Sequence, residues 1–316
     1  MTVRVLIALG GNAMTAPDGR ARPDDQIAAI ARAAGPIADV IAGGAEVVLT
    51  HGNGPQVGNL LVKNELAASV VPPVPLDWCG AQTQGTIGAM LLNAVPRELA
   101  ARGLAKPMAA LVTRTRVDPG DPHFREPSKP IGRYLPEAEA RVMIDHGQVW
   151  QDRGERGWRR VVASPEPVEI LDSAPVAVLL GEGFVVVAAG GGGIPVVRDD
   201  DGTVRGVEAV IDKDLSAALL GRAVGADVLV IATDVPAVAV GFGTADERRV
   251  GSVGVAELRR LQAEGQFASG SMGPKVEAAC RFVEAGGNRA VITSLDSIAE
   301  AAAGRAGTVV TMEGES

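Results

Sequence analysis

Three times in this chain an apolar strand-like run ends in a glycine turn, and helical patterns alternate with such runs along the sequence. Val3–Leu9 runs into Gly10-Gly11-Asn12, Glu46–Thr50 into His51-Gly52-Asn53-Gly54-Pro55, and Phe184–Ala189 into the four glycines Gly190 to Gly193. Apolar runs without alternation are expected of strands buried on both faces. Strands that alternate with helices predict a largely parallel sheet with helices on both sides. That restricts the chain to the open α/β folds. At 316 residues it has the length of one large α/β domain or of two lobes.

The rest of the sequence fits the same scheme. Helical spacing runs from Ile27 to Ile41, from Val57 to Ala68 and from Ala81 to Ala101, where Gly85 and Gly88 share a face that allows close packing. Met108–Thr113 reads as a third strand. Between Arg114 and Pro167 the texture changes. The segment is rich in Pro, Arg, Asp and Glu, holds Trp150 and Trp158, and is expected to project as a lid from the main body. Alternation then resumes with a helix over Asp214–Ala223, a strand at Asp227–Ala232, a helix over Lys275–Glu284, and strands at Ala290–Thr293 and Thr308–Thr311. The reading is an N-terminal lobe over residues 1–180, carrying the 114–167 lid, and a C-terminal lobe over 181–316.

Composition removes several function classes. A formal net charge of −8 opposes nucleic acid as a partner, because a phosphate backbone needs clustered positive charge. No apolar stretch reaches membrane-spanning length, and Val3–Leu9 is too short and too early for a secretory signal. Cys79 and Cys280 are distant and form no C-x-x-C, as for two buried thiols in a reduced compartment. The expected location is the cytoplasm. His51, His123 and His146 are scattered, and no metal site is expected from them. G-x-x-x-x-G-K-[ST], a strand-linked G-x-G-x-x-G, G-x-S-x-G and H-E-x-x-H are all absent.

In an open parallel sheet, ligands bind outside the carboxyl ends of the strands. All three glycine turns fall there. Glycine lets backbone N–H groups approach a ligand, and helix N-termini add positive potential, so together the turns form an anion cradle. The positive charges are unevenly distributed. Only five of the thirty Lys and Arg residues are lysines: Lys63, Lys106, Lys129, Lys213 and Lys275. An ammonium is a compact point charge, whereas guanidinium is a broad fork, so a site for a phosphoryl group in transfer favours lysine. Lys213 sits in Ile211-Asp212-Lys213-Asp214 at a helix start, readable as an N-cap with a salt-bridged neighbour or as catalytic machinery. Lys275 follows Gly270-Ser271-Met272-Gly273-Pro274, readable as a plain helix start or as a second phosphate clamp. Lys63 and Lys106 read as incidental.

Taken in order, these segments resemble the carbamate kinases of the amino-acid kinase superfamily. The resemblance is carried by Ala8-Leu9-Gly10-Gly11-Asn12-Ala13, by Thr50 to Gly58, by Pro75-Leu76-Asp77 and by Thr83-Gln84-Gly85. It continues through Ser128-Lys129-Pro130-Ile131-Gly132, Arg159-Arg160-Val161-Val162, Gly190 to Val196, Ile211 to Asp214 and Gly270 to Ala278, and so spans nearly the whole chain. It implies an open, mostly parallel eight-stranded sheet in an αβα sandwich, a small protruding lid and a homodimer. The implied reaction is reversible phosphoryl transfer between ATP and carbamate, giving ADP and carbamoyl phosphate, in breakdown of arginine or related compounds.

By position, the resemblance makes Lys213 and Lys275 flank the moving phosphoryl group, with Lys129 reaching in from the lid and Asp214 orienting the two lysines. Gly10, Gly11, Asn12, Gly52, Asn53 and Gly54 would cradle carbamate. Gly191, Gly192, Asp212, Lys213, Thr233, Asp234, Met272, Gly273 and Lys275 would serve ATP or ADP, with Mg²⁺ carried by the nucleotide phosphates. Carbamate is already an anion, so no general base is required. One departure lies beside the adenine site, where Ala239 stands in place of the family's aromatic and Phe242 is the available substitute. Two alternatives remain at this point: another acyl-phosphate-forming kinase of the superfamily, and a nucleotide-binding sensor without turnover.

Overall fold

The computed structural model describes residues 2–11, 15, 22–268 and 270–314. Its main sheet has eight strands in the spatial order Ser252–Gly254, Thr308–Thr311, Arg289–Ser294, Val228–Thr233, Arg4–Leu9, Glu46–His51, Val185–Val187, Met108–Ala110. The six strands from Arg289–Ser294 onward are mutually parallel, and Thr308–Thr311 runs antiparallel to its Arg289–Ser294 neighbour. The mostly parallel sheet expected from the sequence is present, reversed only at one edge.

Alternation along the strands builds two separate cores, because successive side chains leave opposite faces of a sheet. Val5, Ile7 and Leu9 pack with Val47, Leu49, Val228 and Val230 against helices Pro23–Ala42 and Leu76–Ala101. Leu6 and Ala8 pack with Val48, Val186, Leu229 and Ile231 against helices Lys213–Val224 and Met272–Glu284. Helices therefore cover both faces, which is the αβα sandwich.

Two local readings need correction. Gly88 does allow close packing, since a Cβ there would lie 2.9 Å from the Ala110 side chain, but Gly85 faces open space. The strand expected over Met108–Thr113 stops at Ala110. Beyond it the chain leaves the sheet, and the buried Gln84 amide takes over both backbone groups of Thr113, accepting from its N–H at 2.8 Å and donating to its carbonyl at 3.1 Å.

Between residues 114 and 170 the chain forms two smaller layers. Arg114–Val117 and Pro167–Ile170 join Ile194–Arg198 and Val204–Gly206 in a four-stranded sheet. Lys129–Leu135, Trp158–Val162 and Trp150–Asp152 form a separate antiparallel sheet backed by helix Glu137–Asp145, with its own core of Leu135, Ala140, Met143 and Trp150. Among the described residues no helix is long and apolar enough to cross a membrane.

Candidate active site

The first and second strands end side by side, so their glycine turns meet. Gly10 N–H donates to Ala232 O and Gly52 N–H to Leu9 O, both at 2.8 Å. A Cβ on Gly52 would lie 2.6 Å from Gly11 N and 3.1 Å from Lys213 Cδ. Only glycine permits that approach. The third turn, Gly190–Gly193, wraps onto the second: a Cβ on Gly190 would overlap the His51 ring, and one on Gly191 would sit 2.1 Å from Asn53 Nδ2. Gly191, Gly192 and Gly193 all have positive φ, the left-handed region where side chains are strained. Ala189, just before them, is left-handed too, at φ 51°. Its N–H donates to Thr113 Oγ1 at 2.7 Å and its carbonyl accepts from Thr50 Oγ1 at 2.9 Å, so both strained backbone groups are tied.

The turns form one side of a cavity of about 710 Å³, within the usual range for a small-molecule site. Gly10, Gly11, Gly52, Asn53, Gly54, Gly191, Asp212, Thr233 and Asp234 all line it. So do Lys129, Lys213, Asp214 and Lys275, which come from three distant segments. Gly192, Met272 and Gly273 stand behind this wall. Gly192 O accepts from Thr115 Oγ1 and Ser216 Oγ at 2.8 Å each, Met272 packs on the core, and Gly273 N–H donates to Ala268 O at 2.9 Å. Asn12 lies outside the described residues. Phe242 is 76% exposed and is not among the residues lining the cavity.

The two readings of Asp212-Lys213-Asp214 turn out to be complementary. Asp212 caps helix Lys213–Val224, its Oδ1 accepting from Asp214 N–H at 2.9 Å and Leu215 N–H at 3.2 Å. Asp214 is 2% exposed. One of its carboxylate oxygens takes Lys213 Nζ and the other takes Lys275 Nζ at 3.2 Å. Burial pushes its pKa up, but the charges and hydrogen bonds of the two lysines outweigh that and hold it below the usual carboxylate range.

Sequence reasoning set His51 aside because no partner was visible. The fold buries it completely beside Lys213, and its Nδ1 lies 2.9 Å from Gly52 O. A carbonyl can only accept, so Nδ1 carries the proton. Burial, with Lys213 adding to it, lowers the His51 pKa to about 4, so the ring is neutral at pH 7. Thr83 and Gln84 were also passed over as individual residues. Gln84 Nε2 donates to Gly190 O at 2.9 Å, bracing the third turn, and Thr83 contacts Asn53. Their signal was their place in the quoted Thr83-Gln84-Gly85 motif, which carries no chemistry until the fold sets it under the turns.

The opposite wall of the cavity comes from the small antiparallel sheet, through Lys129, Arg133 and Arg159. Arg133 is paired with Glu65 at 2.7 Å, and Arg159 lies over the Tyr134 ring at 4.9 Å. Among the described residues no three His, Cys, Asp or Glu side chains cluster as metal ligands.

A sheet-edge cavity with glycine turns on one side, paired lysines on an acid and further cations overhead defines a phosphoryl-transfer enzyme of the α/β class. Residues 3–294 match the amino acid kinase family. The chain belongs to that family. It is 48% identical to the carbamate kinase of Thermococcus kodakarensis, covering 98% of this chain and 99% of that one. It is 42% identical to carbamate kinase 1 of Enterococcus faecium, covering 98% and 100%. Its structure superposes on the carbamate kinase of Giardia lamblia bound to AMP-PNP with a TM-score of 0.93, at 39% identity and 98% coverage of both chains.

Proposed function

We propose that this chain transfers a phosphoryl group reversibly between ATP and carbamate, and that it serves to make ATP from carbamoyl phosphate in nitrogen catabolism. The observation that carries the reading is the Lys213–Asp214–Lys275 group, which presents two ammonium ions at one cavity wall beside the glycine turns. The full-length relatives named carbamate kinase support it.

In the ATP-forming direction a β-phosphate oxygen of ADP bonds to the phosphorus of carbamoyl phosphate. The bond from phosphorus to the carbamoyl oxygen breaks, and carbamate leaves as an anion. No proton has to move, which suits a site whose one buried histidine is neutral. Catalysis then rests on positioning and charge stabilisation. Lys213 and Lys275 hold the equatorial oxygens of the moving group, and Lys129 reaches it from the small sheet. Gly10, Gly11, Gly52, Asn53 and Gly54 hold carbamate from the first lobe, residues 1–180. Gly191, Asp212, Thr233, Asp234 and the segment around Met272 and Gly273 serve the nucleotide from the second lobe, residues 181–316. Asp214 is committed to two lysines and Asp212 Oδ1 to helix N–H groups; magnesium would be carried on the nucleotide's own phosphate oxygens. We place the reaction in the cytoplasm and the enzyme in a homodimer, which sedimentation would test.

The deciding assay is coupled ATP formation from ADP and carbamoyl phosphate, with aspartyl phosphate as a competing donor. ATP from carbamoyl phosphate supports the reading. Preference for aspartyl phosphate would point to another acyl-phosphate kinase, and binding of ADP without turnover to a sensor.

A further inference from the structure

The site has to distinguish carbamoyl phosphate from acyl phosphates of nearly the same shape. Acetyl phosphate differs from it by a methyl group in place of the NH₂. Shape gives little discrimination between the two, whereas a hydrogen-bond acceptor placed for the NH₂ gives much more.

Asn53 lines the cavity between the first and third glycine turns. Its Nδ2 lies 2.9 Å from Thr83 Oγ1, and Thr83 Oγ1 lies 2.7 Å from Gly80 O. The direction of this short chain is forced. Gly80 O can only accept, so the Thr83 hydroxyl proton points at it. The Thr83 oxygen then has only lone pairs to offer, and the Asn53 amide must turn its NH₂ toward Thr83. That leaves Oδ1 as the amide atom with no hydrogen bond among the described residues. The amide is also wedged in place. A Cβ on Gly191 would come within 2.1 Å of Nδ2, and Thr83 is itself 2% exposed.

Asn53 Oδ1 is unusual in its surroundings. The glycine turns offer N–H groups and Lys213 and Lys275 offer N⁺–H groups. Asp214 is spent on the lysines and Asp212 Oδ1 on a helix terminus, and the other side-chain oxygens of Asp212 and Asp234 at the cavity wall belong to carboxylates. An uncharged acceptor among so many donors suits a substrate that carries both anionic oxygens and an N–H.

We infer that Thr83 is a positioning residue for substrate choice: by fixing which end of the Asn53 amide meets the substrate, it makes the site prefer an acyl phosphate bearing NH₂ over one bearing CH₃. The inference rests on the carbamate reading above and deepens it. Without the Thr83 lone pair, Asn53 can turn its own NH₂ inward, where it faces the substrate NH₂ donor to donor.

The test measures kcat/KM for ATP formation with carbamoyl phosphate and with acetyl phosphate, in the unaltered protein, Thr83→Val and Thr83→Ser. Valine keeps the shape without the lone pair, and serine keeps the lone pair. The ratio of the two donors on one preparation does not depend on how much of it is folded. The expected result is a preference ratio reduced about tenfold or more in Thr83→Val, through loss with carbamoyl phosphate, and largely restored in Thr83→Ser. An equal loss with both donors, or an unchanged ratio, would overturn the inference while leaving the carbamate reading intact. An unaltered protein that makes no ATP from carbamoyl phosphate would sink both.

Discussion

Lys275 Nζ stands 3.2 Å from Asp214 Oδ2 although the two residues are 61 positions apart in sequence. Lys213, beside Asp214 in sequence, takes the other carboxylate oxygen. One buried acid thus sets the positions of two cations, and because its pKa is lowered it stays ionised throughout the neutral range.

Arginine at either lysine position keeps the charge but replaces a point donor with a planar fork. Lys213→Arg and Lys275→Arg are expected to lower kcat by about 100- to 1,000-fold, the scale of losing one well-placed donor. Lys63 and Lys106 do not line the cavity, and Lys63→Arg and Lys106→Arg are expected to leave kcat unchanged. Asp214→Asn keeps the planar shape of the carboxylate while removing the charge between two ammonium ions, and is expected to lower kcat by about 100-fold. Folded proteins with near-normal coupled ATP formation in both lysine variants would sink the assignment of these residues.

Gly52 lets the first two turns touch. An added methyl would meet Gly11 N at 2.6 Å and Gly11 Cα at 2.9 Å, which are backbone atoms that cannot swing aside. Gly52→Ala is expected to spread the turns and displace Lys213, whose Cδ lies 3.1 Å from the same point. Turnover should drop by about 100-fold or more, given how steeply rate depends on placement. Thermal unfolding run alongside separates this from loss of fold. An active Gly52→Ala protein would show that the contact between the turns is dispensable.

The parallel sheet and most of its strands were legible because strands buried on both faces announce themselves as apolar runs. Ser252–Gly254 was not legible. It is a three-residue edge strand with one buried side chain, and its pairing with Thr308–Thr311 supplies what the local sequence lacks. The lysines were legible as rare residues beside glycine turns. Their common acid was legible from the residues only as a member of a charged triplet, and as the acid between the lysines only through the family resemblance, since nothing local says that Asp214 turns inward to meet Lys275. His51 and Thr83 were invisible as individual residues for a related reason. His51 matters through its complete burial beside Lys213, and Thr83 through its contact with Asn53 thirty positions away, and both exist only in the folded chain.

His51 gives the protein a specific pH dependence. Its pKa is about 4 in the folded chain, against 6.5 for an unperturbed histidine. The unfolded chain therefore binds a proton between these values that the folded chain refuses. The stability linked to a neutral His51 is fully present above pH 6.5, declines as pH falls, and levels off below about 4. The full difference is roughly 3 kcal/mol. His51→Asn can keep a donor to Gly52 O and has no group that titrates in this window. Urea unfolding of both proteins at pH 7, 6, 5 and 4.5 should show the gap in stability between them changing over this range in favour of the variant. Parallel curves would mean that His51 is protonated as easily folded as unfolded.

The small antiparallel sheet covers the cavity while being fastened at its base. Arg160 on strand Trp158–Val162 is 3% exposed and paired with Glu208, and Glu208 also accepts from Leu76 N–H at 2.8 Å. One carboxylate therefore ties the sheet to the start of helix Leu76–Ala101. On the cavity-facing side Arg133 is tied to Glu65 of helix Gly54–Ala67, but Lys129 is exposed and Arg159 is joined to Tyr134 within the same sheet. A bound nucleotide phosphate would give Lys129 and Arg159 an anionic partner across the cavity. Amide hydrogen exchange should then slow in residues 129–135 and 158–162 when a non-hydrolysable ATP analogue is added. The already buried strand Val228–Thr233 should change little. Removing the tie with Glu208→Gln should speed exchange in the same two segments in the free protein and reduce the protection the analogue confers. Exchange in residues 129–135 and 158–162 that ignores the analogue would make this sheet a fixed roof, and would remove Lys129 from any role that depends on closure.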